Sequence, residues 1–157
     1  MKKRMIEVIC PFCSHSFWML RDTMILMDES SVEHQRLMES GYFWHQCQNC
    51  HHLFELSYPF LIRDTGRDLS LVLLEQGDLP EFDGGKTVRM RTPADFQFVY
   101  QAVVFDLPLH EAGALRRLLY DQGYSRLKIL SVDQSQLLIE ADGRILRLNR
   151  TSERQIG

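Results

Sequence analysis

The sequence predicts an α+β protein made of two modules. The first is a zinc-ribbon-like antiparallel β module with one inserted helix, and the second is a small helix-plus-hairpin module. The chain has 157 residues, of which 45% are hydrophobic and 25% charged, which is typical of an ordinary globular protein. All four cysteines lie in the first third of the chain as two Cys-x-x-Cys pairs, and the remaining two thirds contain none. Strand-like and helix-like segments alternate along the sequence without a longer internal repeat.

The N-terminal module, residues 1–76, is predicted to consist mainly of short strands. Apolar and aromatic residues place them at 5–9, 14–20, 24–27, 42–45 and 53–56. Ser30 or Ser31 can cap a helix supported by Glu33, and Gly41 is placed to end it. Pro59 marks a break or an edge position. Four consecutive apolar residues at 71–74 predict a well-buried strand over 69–74.

The C-terminal module is predicted to cover residues 77–157, after an acidic segment rich in Gly and Pro at 75–85. Thr92 followed by Pro93 indicates a helix start, although the apolar residues at 96–105 would also suit a strand, and we favour the helix. A second helix is predicted at 108–122, ended by Gly123. A strand at 127–132 precedes a hairpin formed by 136–140 and 145–148, because an Asp-Gly pair favours a tight turn.

The cysteine pairs have the spacing of metal-binding turns. Two residues between paired cysteines allow both sulfurs to reach one metal from one tight turn, and zinc prefers four ligands in a tetrahedron. The sequence therefore predicts a Zn²⁺ site with the ligands Cys10, Cys13, Cys47 and Cys50. Four cysteines leave no coordination position open, so we expect a structural metal rather than a catalytic one.

Three other hypotheses assign a different role to the same cysteines. A redox-active Cys-x-x-Cys pair would make the protein a thiol enzyme, but such pairs normally begin a helix, whereas these lie between strand-like segments. Cys47 to His51 also matches a haem-attachment pattern, and four thiolates can hold an iron–sulfur cluster.

The nearby His15, His45, His51 and His52 could replace a ligand or bind a second metal, but we expect them to be strand-surface residues.

Charge and targeting signals limit the partners and the compartment. Eighteen basic and 21 acidic residues give a formal net charge of −3, which disfavours a nucleic-acid or membrane coat. No apolar run is long enough for a membrane span or a secretory signal, so we expect a cytoplasmic protein with reduced thiols.

The aromatics near the cysteines can form a miniature core or stack on bases, and we expect the core; they are Phe12, Phe17, Trp18, Phe43, Trp44 and Phe54.

Cys10-Pro11-Phe12-Cys13, Phe17, a helix ending near Gly41, and Cys47-Gln48-Asn49-Cys50 together resemble the CpXC family of bacterial and archaeal proteins. The segments 58–64 and 69–74 add to the resemblance, which covers residues 5–74 well and 93–122 weakly. It implies that the four cysteines are the family's paired cysteines. The family's function is uncharacterised, so the resemblance transfers no catalytic residue. Gln48 stands where the family's second motif has proline.

These observations favour a non-enzymatic zinc protein whose metal stabilises a surface for another protein. A homo-oligomer is also compatible, because strands at a sheet edge can pair with a second copy. The alternatives are a nucleic-acid-binding zinc ribbon, whose affinity would fall steeply with salt, and a thiol redox enzyme, which would need a reactive cysteine.

Overall fold

The computed structural model describes residues 2–79 and 85–150. Within these ranges the chain forms three helices and ten strands arranged in three sheets, which confirms the mixed α+β class. In chain order the elements are β1 (Lys2–Ile9), β2 (Ser16–Leu26), α1 (Val32–Met38), β3 (Trp44–Gln46), β4 (Leu53–Glu55), β5 (Phe60–Asp64), β6 (Leu69–Leu73), β7 (Lys86–Met90), α2 (Pro93–Val104), α3 (Leu109–Asp121), β8 (Leu127–Val132), β9 (Gln136–Ala141) and β10 (Arg144–Asn149).

Cα proximity divides the chain into two units. The first unit comprises Met1–Arg36 and Gly41–Phe96, and the second comprises Leu37–Ser40 and Gln97–Gly157. This division falls later than the boundary predicted after residue 76, because β7 pairs with β6 and is therefore part of the first unit's sheet. Whether residues 1–76 and 77–157 are separate folding modules stays a prediction.

The main sheet of the first unit has five strands in the order β1-β2-β5-β6-β7. The pairs β1·β2 and β5·β6 are antiparallel, whereas β2·β5 and β6·β7 are parallel. The prediction of an antiparallel module is therefore wrong for this sheet. Between β2 and β5 the chain passes through α1 and the β3–β4 hairpin, and such a long connection allows β5 to run in the same direction as β2.

The core of the first unit is centred on β6, whose five residues are all buried, as the apolar run predicts. Aromatic rings pack beside it. Phe43 is fully buried and meets Phe60 and Phe96 edge to face, with ring centroids 5.7 and 5.8 Å apart. Such edge-to-face pairs add roughly 0.5–1.5 kcal/mol each beyond the area they bury.

Two strands of the first unit differ from the sequence prediction. The strands expected at 14–20 and 24–27 are one continuous strand, β2. The break at Pro59 is real, but a strand that was not predicted, β5, begins at the next residue. Proline is tolerated immediately before a strand, because its missing N–H is not yet needed by the sheet.

Helix α2 resolves the ambiguity between helix and strand at 96–105. The Thr92 hydroxyl accepts a hydrogen bond from the backbone N–H of Asp95 at 3.1 Å, which caps the predicted helix start. Every residue from 96 to 103 is buried. A helix that is buried on all sides shows no amphipathic stripe, which is why its periodicity alone was not decisive.

The three-stranded sheet of the second unit has the order β10-β9-β8, and both pairings are antiparallel. The predicted hairpin turn is confirmed, because Asp142 and Gly143 have φ values of 49° and 83°, as a two-residue turn with two positive φ angles requires. Ile129, Leu137 and Ile139 are the central residues of the hydrophobic core. None of the helices in the described residues is long and apolar enough to cross a bilayer.

Candidate metal centre

Each cysteine pair lies in the turn of an antiparallel hairpin in the first unit. Cys10 and Cys13 connect β1 to β2, and Cys47 and Cys50 connect β3 to β4. The strands on either side fix where each turn begins and ends. Because residues 14–46 separate the two pairs, only the tertiary fold can bring the two turns together.

Local backbone hydrogen bonds shape the first turn. The N–H of Cys10 donates to the carbonyl of His15, and the N–H of Ser14 donates to the carbonyl of Cys10, both at 2.9 Å. Ser14 adopts a φ of 62°, in the left-handed region that L-residues seldom occupy. This tight backbone leaves both sulfurs on the same side of the turn.

The second turn repeats this geometry residue by residue. The N–H of Cys47 donates to the carbonyl of His52 at 2.9 Å, and the N–H of His51 donates to the carbonyl of Cys47 at 2.8 Å. His51 has a φ of 67°, matching that of Ser14. The second turn carries Gln48 where the first has proline, so the turn geometry does not depend on proline.

The four sulfurs form one compact cluster. Their Sγ atoms all lie within 4.8 Å of one another, with 3.6 Å between Cys10 and Cys50 and 3.7 Å between Cys13 and Cys47. All four cysteines are free thiols. A tetrahedral metal with bonds of about 2.3 Å to sulfur would separate its ligand atoms by about 3.8 Å. The arrangement therefore fits a single ion held between the two turns.

The cluster is partly protected from solvent. Cys10 and Cys47, the first cysteine of each pair, are buried at 1% and 0% exposure, whereas Cys13 and Cys50 are half-buried. A metal bound here would be shielded on one side by the hairpins.

Neighbouring groups donate hydrogen bonds towards the sulfurs. The N–H of Phe12 donates to the Sγ of Cys10 at 3.4 Å, and the side-chain amide of Asn49 donates to the Sγ of Cys13 at 3.5 Å. The Asn49 bond joins the second turn to a ligand of the first. Such donors stabilise a charged thiolate and orient it towards a metal.

The surroundings shift the pKa values of the thiols in different directions. The amide of Asn49, followed by the backbone N–H of His15, lowers the pKa of Cys13 to about 6. Backbone N–H groups of Cys50 and Asn49 hold the pKa of Cys47 below its usual value.

At Cys50, the backbone hydrogen bond involving His52 acts to lower the pKa, but burial and the three neighbouring cysteines outweigh it and raise the pKa to about 12. Adjacent thiolates repel one another, so a cluster of four can be fully ionised only around a cation.

The histidines near the turns do not belong to this cluster. In the described residues, the group of potential metal donors at this site consists of the four cysteines. The ring of His52 stacks on Phe12 at 4.5 Å, and its Nδ1 lies 3.4 Å from the Sγ of Cys50. The ring of His45 packs against Phe17 and Phe54, and burial holds its pKa below the usual value. These contacts indicate that both histidine rings pack beside the turns and stabilise them from outside the sulfur cluster.

The aromatics near the cysteines divide into two groups. Phe43 and Phe54 are buried, as expected for a miniature core, and Phe17 and Trp44 are half-buried. Phe12 and Trp18 are 60% and 62% exposed, which differs from that expectation. The alternation along β2 turns Trp18 away from the half-buried Phe17.

Sequence reasoning named the four cysteines but missed Asn49. An amide between paired cysteines, at the position that Phe12 occupies in the first turn, was the available signal. Its contact with the other pair could not be derived from spacing, because it depends on how the two hairpins meet.

Comparison with known families finds a match that covers most of the chain. The family model described as CpXC protein matches residues 8–117, a range that contains all four cysteines. Comparison with curated proteins and with solved structures finds no match.

Proposed function

This chain belongs to the CpXC protein family, and from that premise we propose that it is a zinc-binding protein that recognises another protein and performs no catalysis of its own. The observation that carries the proposal is the cluster of four thiols, whose Sγ atoms lie within 4.8 Å of one another. Zinc held there would cross-link the long β1–β2 hairpin to the β3–β4 hairpin, whose strands have only three residues each. We further propose that the protein acts in the reducing cytoplasm, where free thiols remain available to a metal.

The donor set supports a single zinc ion over an iron–sulfur cluster. Thiolates are soft ligands that suit both. A cluster of several iron atoms needs its cysteines spread around a larger centre, whereas the 3.6 and 3.7 Å separations here suit one tetrahedral ion. Four protein ligands also close the coordination sphere, which supports a structural role.

The surroundings of the pairs support binding over thiol chemistry. Reactive Cys-x-x-Cys pairs usually lie at a helix N-terminus, whose N–H groups stabilise the thiolate. Here both pairs lie in hairpin turns, and each thiol is surrounded by three others. With all four bound to zinc, none would be free to act as a nucleophile.

A protein partner suits the exposed surface better than nucleic acid does. Phe12, Trp18 and Leu53 are each about 60% exposed on or beside the hairpins, and exposed apolar patches commonly mark protein contacts. The net charge of −3 supplies no general attraction for phosphates. We propose a zinc ribbon only in the sense of two hairpins that one metal ion links.

The proposal is tested by metal analysis together with a count of reactive thiols, on protein purified without added metal or chelator. We expect one zinc per chain and four thiols that react only after a chelator is added. Cys13→Ser should abolish stoichiometric zinc, and Gln48→Ala, an exposed change in the other turn, should retain it. Metal-free protein with freely reactive thiols would contradict the proposal and favour a redox enzyme.

A further inference from the structure

One face of the β1–β2 hairpin is apolar and open to solvent. It is defined here as the hairpin face and consists of Lys3, Met5, Glu7 and Ile9 on β1 with Asp22, Leu20, Trp18 and Ser16 opposite them on β2. Its four apolar side chains are between 52% and 62% exposed. The hydroxyl of Ser16 donates to the carboxylate of Glu7 at 3.1 Å, which places both on this face. Adjacent exposed apolar residues in one patch are typical of an interaction surface.

Strand β1 is also the outer strand of its sheet. In the described part of the chain it pairs with β2 on one side and with no strand on the other. Its eight residues are mostly exposed. An outer strand presents a row of backbone N–H and C=O groups that can pair with another strand. The hairpin thus offers backbone hydrogen bonds at its edge and apolar area on its face.

We propose that this edge pairs with the same edge of a second copy of the chain, antiparallel and with Met5 on the two-fold axis. The inference deepens the proposed function, on which it rests, by naming the protein partner. Antiparallel strands related by a two-fold axis perpendicular to the sheet place residues of the same face opposite each other. With Met5 opposite the partner's Met5, Lys3 lies opposite the partner's Glu7, and Glu7 opposite the partner's Lys3.

The charge pattern of β1 selects this register. A shift of two positions in either direction would place Lys3 opposite an apolar side chain, Met5 or Ile9, and leave its charge unpaired. A shift of four positions would place either two lysines or two glutamates opposite each other, and like charges in that position are destabilising. Only the register centred on Met5 pairs both charged residues of this face with opposite charges.

The neighbouring strands continue the complementarity. On β2, Leu20 is the partner of Met5, so the axis would carry a continuous apolar row of four side chains across both copies. Asp22 is the β2 partner of Lys3, and a buried oxygen of its carboxylate has no hydrogen-bond partner among the described residues. In the dimer, Lys3 would lie between this carboxylate and the partner's Glu7.

The test is the oligomeric state of the full-length, zinc-loaded chain, measured by sedimentation over a range of concentrations. We expect the wild type to form dimers. Glu7→Lys and Lys3→Glu should each weaken dimerisation about tenfold or more, because two symmetry-related pairs become repulsive. The double variant Lys3→Glu/Glu7→Lys restores opposite charges and should dimerise within about threefold of the wild type.

One control isolates the cross-strand charges. Glu29→Lys reverses an exposed charge outside the hairpin and should not change the dimerisation constant. If the chain binds one zinc but stays monomeric at every concentration, the proposal that its partner is a second copy is overturned. The proposal that it binds zinc then still stands. A dimer that the single variants leave unchanged, or that the double variant does not restore, overturns this register. A chain without metal instead contradicts the proposed function.

Discussion

Asn49 connects the second cysteine turn to a sulfur of the first. Its side-chain amide donates to the Sγ of Cys13 at 3.5 Å and is the largest cause of that thiol's lowered pKa. The same hydrogen bond would hold the sulfur in position for a metal. Asn49 is exposed, so its effect comes from this contact rather than from packing in the core.

Replacing Asn49 with alanine is therefore expected to weaken zinc binding without unfolding the hairpins. Groups that hydrogen-bond to metal ligands typically change metal affinity by about 10- to 100-fold. We expect a loss near the lower end for Asn49→Ala, measured by competition with a chromophoric chelator at neutral pH. Gln48→Ala, at the preceding exposed position, is the matched control. Equal affinity in both variants would show that the Asn49 bond does not reach the bound metal.

At the scale of elements, the two cysteine turns show that one backbone geometry can arise from different residues. The first turn has proline and phenylalanine between its cysteines, and the second has Gln48 and Asn49. Both nevertheless form the same pair of backbone hydrogen bonds and place a non-glycine residue at positive φ. The departure from a second Cys-Pro-x-Cys motif thus leaves the turn intact.

The β9–β10 hairpin depends on a carboxylate in its turn. The carboxylate of Asp142 accepts hydrogen bonds from the N–H groups of Arg126 and Ser125 at 2.8 and 3.0 Å and from the Ser125 hydroxyl at 3.1 Å. These bonds, led by that of Arg126, hold the pKa of Asp142 below its usual value. They connect the turn to the residues just before β8.

The lowered pKa predicts how pH acts on this hairpin. Because the carboxyl is more acidic in the folded chain, its bonds stabilise the fold fully above the unfolded pKa of about 3.9 and are lost as pH falls through the folded pKa. We expect Asp142→Asn to lower the melting temperature by a few degrees at pH 7 and to differ little from the wild type in strong acid. Thermal unfolding at pH values from 7 down to strong acid measures this difference in melting temperature, with Asp121→Asn as control. A constant difference at every pH would contradict the prediction.

At the scale of the whole molecule, each unit has its own source of stability. The first unit has aromatic packing, to which a metal bound by the four cysteines would add. The second has a hydrophobic core and Gln101, which is fully buried. The Gln101 amide donates to the carbonyl of Leu37 at 3.1 Å and the hydroxyl of Ser40 at 2.9 Å, and its oxygen accepts from the N–H of Ile129 at 2.9 Å.

Two substitutions should therefore destabilise different units. Cys13→Ser should lower the stability of the first unit by about 3 kcal/mol or more, because the free energy of metal binding is also free energy of folding. Gln101→Leu should cost the second unit about 2–4 kcal/mol, because buried carbonyl and N–H groups lose their partner. Hydrogen exchange resolved by segment measures both. Equal loss of protection throughout the chain after Cys13→Ser would show that the two units do not unfold separately.

The elements that the sequence predicts correctly depend on residues that are close together along the chain. The spacing of Cys10 and Cys13 is enough to predict the turn that carries them, because its hydrogen bonds join residues at most five positions apart. The Asp142-Gly143 turn and the apolar run of β6 are local in the same sense. The family, too, was recognisable from the cysteine motifs and is confirmed.

The sequence by itself determined the two cysteine turns, the buried strand and the C-terminal hairpin, since each depends on neighbours along the chain. Only the tertiary structure decided that β5 lies parallel to β2 and that the two turns meet with their sulfurs 3.6 and 3.7 Å apart. The local Thr92-Pro93 start already favoured helix α2, which the structure confirms, although burial from residue 96 to residue 103 removed the periodicity that would have distinguished helix from strand. The parallel pairing and the meeting of the two turns depend instead on contacts between residues far apart in the chain, which no local pattern encodes.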